Sequence, residues 1–279
     1  TIEVAKVGDD YEKIKLYMLQ TKTEFMPIID ADSNVVDIIF WNDLFTQSRV
    51  HSSNLNLPVV IMAGGKGVRL RPLTNILPKP LLPIDNKTIV EHIIDNFEAI
   101  GCIKFFMSIN YKSTMIRQYF EAIEKKINIE FFEEEKPLGT AGSLHLIKSK
   151  IDSTFFISNC DILIEEDYTA IYNYHKEYKN ELTIVASLKS YAIPYGILET
   201  KERGELKELI EKPDVNFLIN SGMYLLESHL LNEIPENEFF HITDLIKKIQ
   251  SRGGKVGVFP VSEKSWRDIG DWEKYLEVI

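Results

Sequence analysis

The chain has 279 residues, 44% of them apolar and 27% charged, with a formal net charge of −10. That length admits one large domain, or one domain with a small appendage, and the acidic balance argues against a general nucleic-acid binder, whose phosphates its average field would repel. No apolar run approaches the roughly 18 residues of a membrane span, and the two cysteines, Cys102 and Cys160, lie in apolar contexts that suit buried reduced thiols of a cytoplasmic protein better than a disulfide framework.

The opening Thr1-Ile2-Glu3-Val4 has neither the basic nor the apolar region of a signal peptide, and the missing initiator Met fits a fragment or trimmed chain. Asp9 and Asp10 are expected to cap a helix from Tyr11 to Gln20, with Ile14, Leu16, Tyr17 and Leu19 as its apolar positions. Phe25 to Asp30 and Val35 to Phe40 read as strands joined by the turn Asp32-Ser33-Asn34, and Asn42-Asp43 opens a short helix ending near Thr46. Residues 1–50 thus form a small α+β unit, too small to bury a core alone; 51–57 is a polar linker, and 58–279 is a second domain.

From Val59 onward strands and helices alternate, which predicts an α/β domain with a Rossmann-like mixed, mainly parallel sheet flanked by helices. Strands are expected at Val59–Met62, Lys104–Ile109, Ile127–Phe132, Thr154–Ser158, Leu182–Ser187 and Lys255–Pro260. Helices are expected at Thr88–Ile100, Thr114–Lys126, Gly142–Lys148, Thr169–Tyr178 and Thr243–Gln250, and Tyr195–Leu226 reads as an inserted or antiparallel portion.

The first of these strands runs into Ala63-Gly64-Gly65-Lys66-Gly67-Val68-Arg69-Leu70-Arg71-Pro72-Leu73-Thr74, followed by Pro78-Lys79-Pro80-Leu81-Leu82-Pro83. Glycines there let backbone N–H groups approach anionic oxygens closely, at the sheet edge where open α/β folds bind ligands. Arg69 can clamp a phosphate with two donors and Lys79 supplies a point charge. The spacing fits neither the P-loop nor the dinucleotide fingerprint. The combination resembles the signature of the sugar-1-phosphate nucleotidyltransferases, the pyrophosphorylases that make NDP-sugars.

The resemblance extends over residues 58–279. Glu135-Lys136-Pro137-Leu138-Gly139-Thr140-Ala141-Gly142 resembles that family's nucleobase loop, and Thr140 also reads as the cap of the helix that follows. Asn159-Cys160-Asp161 resembles its Asn-Gly-Asp, with Cys in place of the usual Gly, and Trp266-Arg267-Asp268-Ile269-Gly270 its W-x-D-I-G. The resemblance implies that Asp161 and Asp268 bind Mg²⁺, that Ala63, Gly64, Gly65, Gly67, Arg69, Gly139 and Thr140 meet the nucleotide, and that Tyr195, Gly196, Glu211, Lys212 and Asn220 meet the sugar phosphate. It also implies in-line attack by the sugar phosphate on the α-phosphorus of an NTP, with Arg69, Lys79, Asp161 and Asp268 as the catalytic set.

A carboxylate at Glu134 or Glu135 suits the paired N1–H and N2–H₂ donors of guanine. Residues 1–50 resemble one cystathionine-β-synthase-type (Bateman) repeat, through Pro27-Ile28-Ile29-Asp30. That pairing resembles bacterial GTP-using enzymes acting on mannose-, glucosamine- or heptose-1-phosphates. It admits a homo-oligomer through the N-terminal unit and an adenine-nucleotide effector. UTP-, CTP- or dTTP-using enzymes of the same family remain alternatives, as does a non-catalytic nucleotide-sensing subunit, although the latter predicts loss of Lys79 or of a metal carboxylate.

Overall fold

The computed structural model describes residues 4–41, 54–123 and 127–279. The helix expected at Asn42–Thr46, the first linker residues 51–53 and the end of the helix expected to reach Lys126 lie outside them. The chain divides into two compact units: Thr1–Gln47 with Ser187–Ile219 and Pro260–Glu263, and Ser48–Ala186 with Asn220–Phe259 and Lys264–Ile279. Among the described residues no helix is long and apolar enough to cross a membrane.

In the first unit, β1 (Ala5–Lys6) and α1 (Tyr11–Thr21) lead to the hairpin of β2 (Phe25–Ile29) and β3 (Val35–Phe40), with β1 parallel and β3 antiparallel to β2. The Asp30 carboxylate closes the turn by accepting the amides of Asp32 and Asn34, both at 2.9 Å. The helix buries Ile14 and Met18, one turn apart, and leaves Leu16 exposed. Leu16 therefore lies off the apolar stripe expected of it, because an i, i+4 pair faces one way on a helix.

The second unit begins with β4 (Pro58–Met62), α2 (Leu73–Ile76) and the two-residue strands β5 (Pro83–Ile84) and β6 (Lys87–Thr88). Next comes α3 (Ile89–Ala99), which starts at a capping box of Thr88 with Glu91 and stops before Gly101 at φ +80°. Then follow β7 (Lys104–Ile109), α4 (Ser113–Ala122), β8 (Ile129–Glu133), β9 (Phe155–Asn159), β10 (Ile162–Ile164), α5 (Tyr168–Glu177) and β11 (Leu182–Ala192). The helix expected at Gly142–Lys148 is a 3₁₀ segment, Gly142–Lys150. Its buried Leu144 and Ile147 are three apart, the spacing that three residues per turn places on one face.

The stretch expected to be antiparallel contains the hairpin β12 (Ile197–Thr200) and β13 (Leu206–Ile210), then β14 (Asp214–Leu226), which runs antiparallel to β9. The chain ends through α6 (Ile242–Ser251), β15 (Val256–Ser262), β16 (Trp266–Asp268) and α7 (Trp272–Leu276).

The main sheet has the order β15-β11-β14-β9-β4-β7-β8, in which β4 is parallel to β7 and β9, and β7 to β8. The chain builds outward from β4 to β8 and returns to β9 on the other side of β4. That reversal is a switch point, where the loops after two neighbouring parallel strands diverge and leave a crevice. Burial on both sheet faces explains the apolar runs of β4, β7 and β9. Val60, Phe106, Phe155 and Ile157 pack on one face with Leu144, Ile147, Leu245 and Ile249. On the other, Phe97 stacks against Phe156 at 5.2 Å and Tyr168 at 4.9 Å between ring centroids.

Phe97 is fully buried in that aromatic group. Phe97→Ala is expected to lower unfolding stability by about 3–5 kcal/mol, the range for an emptied Phe site, read as a fall in the urea midpoint without a change of slope.

Candidate functional site

The crevice at the switch point is a cleft of about 440 Å³. Its floor is the glycine loop after β4. A side chain at Gly64 would bring its Cβ within 3.3 Å of Glu134 Oε1, and Gly67 has φ +59° with Thr74 Cγ2 at 2.8 Å from a Cβ placed there. The loop is strapped from several sides. Thr74 Oγ1 donates to the Gly67 carbonyl at 2.9 Å, and the Tyr111 hydroxyl donates to the Thr74 carbonyl at 3.0 Å. Lys112 Nζ donates to the carbonyls of Asn75 and Ile76, each at 2.8 Å.

The cleft is lined by Gly64, Gly65, Gly67, Arg69, Lys79, Gly139, Thr140 and Asp161, with Glu134 among them. Ala63 is buried in the sheet end, its amide donating to the Ser108 carbonyl at 2.9 Å. Glu134 and Glu135 separate. Glu134 is buried and accepts from Ser108 Oγ at 2.7 Å and from the Leu138 amide at 3.0 Å. Glu135 is exposed and lines a different pocket with Lys136 and Asn237.

The two aspartates come together through a short strand pair. β10 and β16 are antiparallel with Ile162 opposite Asp268, and the Ile269 amide donates to the Asp161 carbonyl at 2.7 Å. The register thus brings the backbones of Asp161 and Asp268, more than a hundred positions apart, into one strand pair. Lys79 Nζ, nearly buried, meets Asp161 Oδ2 at 2.5 Å, and Lys274 ion-pairs with Asp268. The Asp268 bond holds the Lys274 ammonium above its ordinary range. A Cβ at Gly270 would stand 2.6 Å from Asp268 Oδ1 and 3.0 Å from Arg69 Nη2, so the guanidinium shares this corner. Among the described residues no group of three or more His, Cys, Asp or Glu is placed to hold a metal ion. A hard cation here would rest on two carboxylates and complete its shell with ligand oxygens and water, as Mg²⁺ commonly does.

Cys160 occupies its place without a left-handed backbone, which explains why glycine is not needed there. Its thiol is pushed up to about 12, first by burial and then by the neighbouring Asp161, against the opposing pull of Lys79. Gly222, by contrast, has φ +90° and seats Asn159, whose Nδ2 would lie 2.5 Å from a Cβ there. Asn220 engages its own strand: its Nδ2 donates to the Tyr224 hydroxyl at 2.7 Å and its Oδ1 accepts from the Gly222 amide at 3.1 Å. In the first unit, Gly196 and Glu211 face each other at the open end of the β12–β13 hairpin, where a Cβ at 196 would be 2.8 Å from Glu211 Oε2. Tyr195 is exposed beside them, and Lys212 takes a left-handed φ of 44°.

Sequence reasoning missed the segment ahead of α6. Phe239 and His241 line the cleft, and Phe240 anchors the turn at Gly139 through three backbone bonds with Leu138, Ala141 and Gly142 of 2.9–3.0 Å. Thr140 caps α6 by accepting from the Ile242 amide at 3.0 Å, rather than the segment that follows it. The available signal was the pair of aromatics before a helix start with Asp244 at its third position.

The sequence pattern of the nucleotidyl transferase family matches residues 58–279. The mannose-1-phosphate guanyltransferase of Emericella nidulans is 32% identical over 230 residues, 79% of this chain and 62% of that protein. The mannose-1-phosphate guanylyltransferase 1 of Arabidopsis thaliana is 31% identical over 229 residues, 79% of this chain and 63% of that protein. The chain thus spans less than two thirds of the length of these curated relatives. Among solved structures, HddC from Yersinia pseudotuberculosis is similar at a TM-score of 0.62 with 25% identity, covering 80% of this chain and 97% of that one. A structure of HddC complexed with GMP-PN has a TM-score of 0.59 with 26% identity and the same coverage.

Burial raises the Cys102 thiol to about 11 and contributes most of the rise at Cys160 to about 12. Raised thiol pKa values leave almost no thiolate at pH 8. Both cysteines are expected to resist iodoacetamide at pH 8 in the folded protein and to alkylate fully in urea, as counted by mass spectrometry.

Proposed function

The chain belongs to the nucleotidyl transferase family over residues 58–279, and from that premise we propose that it transfers a nucleoside monophosphate from GTP to a sugar 1-phosphate, releasing pyrophosphate. The observation that carries the reading is the Lys79–Asp161 pair in the lining of the glycine-loop cleft, with Asp268 on the strand paired to β10 supporting it.

The attacking sugar phosphate oxygen is already an anion, so the reaction needs no general base. What remains is positioning and neutralisation of charge, the terms that dominate phosphoryl and nucleotidyl transfer. Arg69 and the amides of Gly64, Gly65 and Gly67 hold the triphosphate, and Lys79 offsets its charge. Mg²⁺ held by Asp161 and Asp268 would supply further neutralisation of the phosphates when bound. Gly196, Glu211, Lys212, Tyr195 and Asn220 are read as the sugar-phosphate side, supported by the Gly196–Glu211 approach.

GTP is favoured by the relatives named as guanyltransferases and by the complex of HddC with GMP-PN. Glu134 supports the same choice, because each of its oxygens keeps a lone pair beyond its protein bond for the adjacent donors of guanine. The names of the relatives point to mannose 1-phosphate as the first sugar to test, with glucosamine and heptose 1-phosphates beside it. The β1–α1–β2–β3 order supports reading the N-terminal unit as a cystathionine-β-synthase-type repeat. Self-association and an adenine-nucleotide effector are what such a repeat would bring to a cytoplasmic enzyme.

Pyrophosphate release measured across four NTPs and a panel of sugar 1-phosphates tests the whole reading, with GTP expected to lead. Lys79→Ala is expected to cut turnover by at least about a hundredfold in a folded protein, the scale of one lost charged contact; near-normal turnover would remove the assignment. Asp161→Asn and Asp268→Asn should each weaken metal dependence, and the double variant should lose little beyond either, since groups serving one ion act as a unit. Full multiplication of the two losses would mean separate roles.

A further inference from the structure

Phe239 and Phe240 are adjacent but treated oppositely: Phe240 packs against the core, while Phe239 is 63% exposed within the cleft lining. An aromatic ring held at the wall of a ligand cleft offers apolar area that water covers poorly and a flat ligand covers well. We propose that Phe239 is the stacking wall for the nucleobase, an inference that rests on reading the cleft as an NTP site.

The ring is carried by the segment bonded to the turn that lines the cleft at Gly139 and Thr140. The Phe240 amide donates to the Leu138 carbonyl at 2.9 Å, and the Ala141 and Gly142 amides donate to the Phe240 carbonyl at 3.0 and 2.9 Å. A Cβ at Gly139 would stand 2.7 Å from that same carbonyl, so turn and aromatic segment lie in direct contact. The ring's attitude is set by His241, which it meets edge-on with centroids 4.7 Å apart and planes at 82°.

His241 is itself fixed. Its amide donates to Asp244 Oδ2 at 3.0 Å, and its Nδ1 lies 3.3 Å from Thr140 Oγ1, which in turn accepts from the Ile242 amide. Phe239 is therefore presented by a braced helix start rather than by a free loop. Every base has a π-face, so this wall contributes to the binding of all NTPs, and choice among them falls to polar groups such as Glu134. A contact made equally before and during the reaction alters affinity and leaves turnover alone.

The test is equilibrium binding of each NTP, and of inorganic tripolyphosphate, to the wild type, Phe239→Ala and Phe239→Trp, with kcat measured alongside. In Phe239→Ala the affinity for the preferred NTP is expected to fall roughly tenfold, within the range of one lost base–aromatic stack. Tripolyphosphate affinity and kcat should hold, and Phe239→Trp should restore NTP binding. Unchanged NTP affinity in Phe239→Ala, or an equal loss for tripolyphosphate, overturns the stacking role while the NTP site stands. A wild type that binds UTP in place of GTP overturns the guanine reading alone, and one that binds no NTP overturns both.

Discussion

Strand β4 is paired in parallel with β7 on one side and β9 on the other, and the cleft depends on that placement. Parallel pairing sends the carboxyl ends of all three strands to one edge. The glycine loop, the Ser108–Asn110 segment and Asn159-Cys160-Asp161 then emerge together without any of them being neighbours in sequence. Aromatic and aliphatic side chains on both sheet faces fix the strand positions, so the loops inherit a rigid base. From this follow the contacts that couple one motif to another: Gly64 under Glu134, Gly222 under Asn159, and Lys79 on Asp161.

The electrostatics of the cleft follow the same logic. Lys79 is nearly buried, and a cation taken out of water requires a close partner. Asp161 supplies it, and Lys274 does the same for Asp268 from the start of α7. With a lysine on each, both aspartate charges are locally offset, and the exposed guanidinium of Arg69 stands in the same corner at Gly270.

Much of this was readable from residues that are close together in sequence. The glycine loop, the Pro-Lys-Pro run and the two aspartate motifs are local patterns whose chemistry is visible where they stand, and the alternating elements follow from apolar periodicity. What depends on long-range pairing was not readable. β10 and β16 are three residues each, too short to announce themselves, yet their register unites the aspartates. Thr140 looked like a cap for its own segment because nothing near it in sequence reveals that Ile242 arrives there. Leu16 looked like core by hydrophobicity alone, whereas the helix phase is set by Ile14 and Met18. Phe239 and Phe240 look alike in sequence, and only the fold assigns one to the core and the other to the cleft.

The straps on the segment after the glycine loop carry an entropic consequence. Tyr111 and Lys112 hold the carbonyls of Thr74, Asn75 and Ile76 from the turn that follows β7. Fixing the backbone of one residue costs about 1–2 kcal/mol, so a loop that froze only when its ligand arrived would give up much of its affinity to ordering. Here that ordering is completed during folding. The shape of the segment behind the glycine loop is thus set in part by a tyrosine and a lysine that lie outside the cleft lining, and it is held before any ligand arrives.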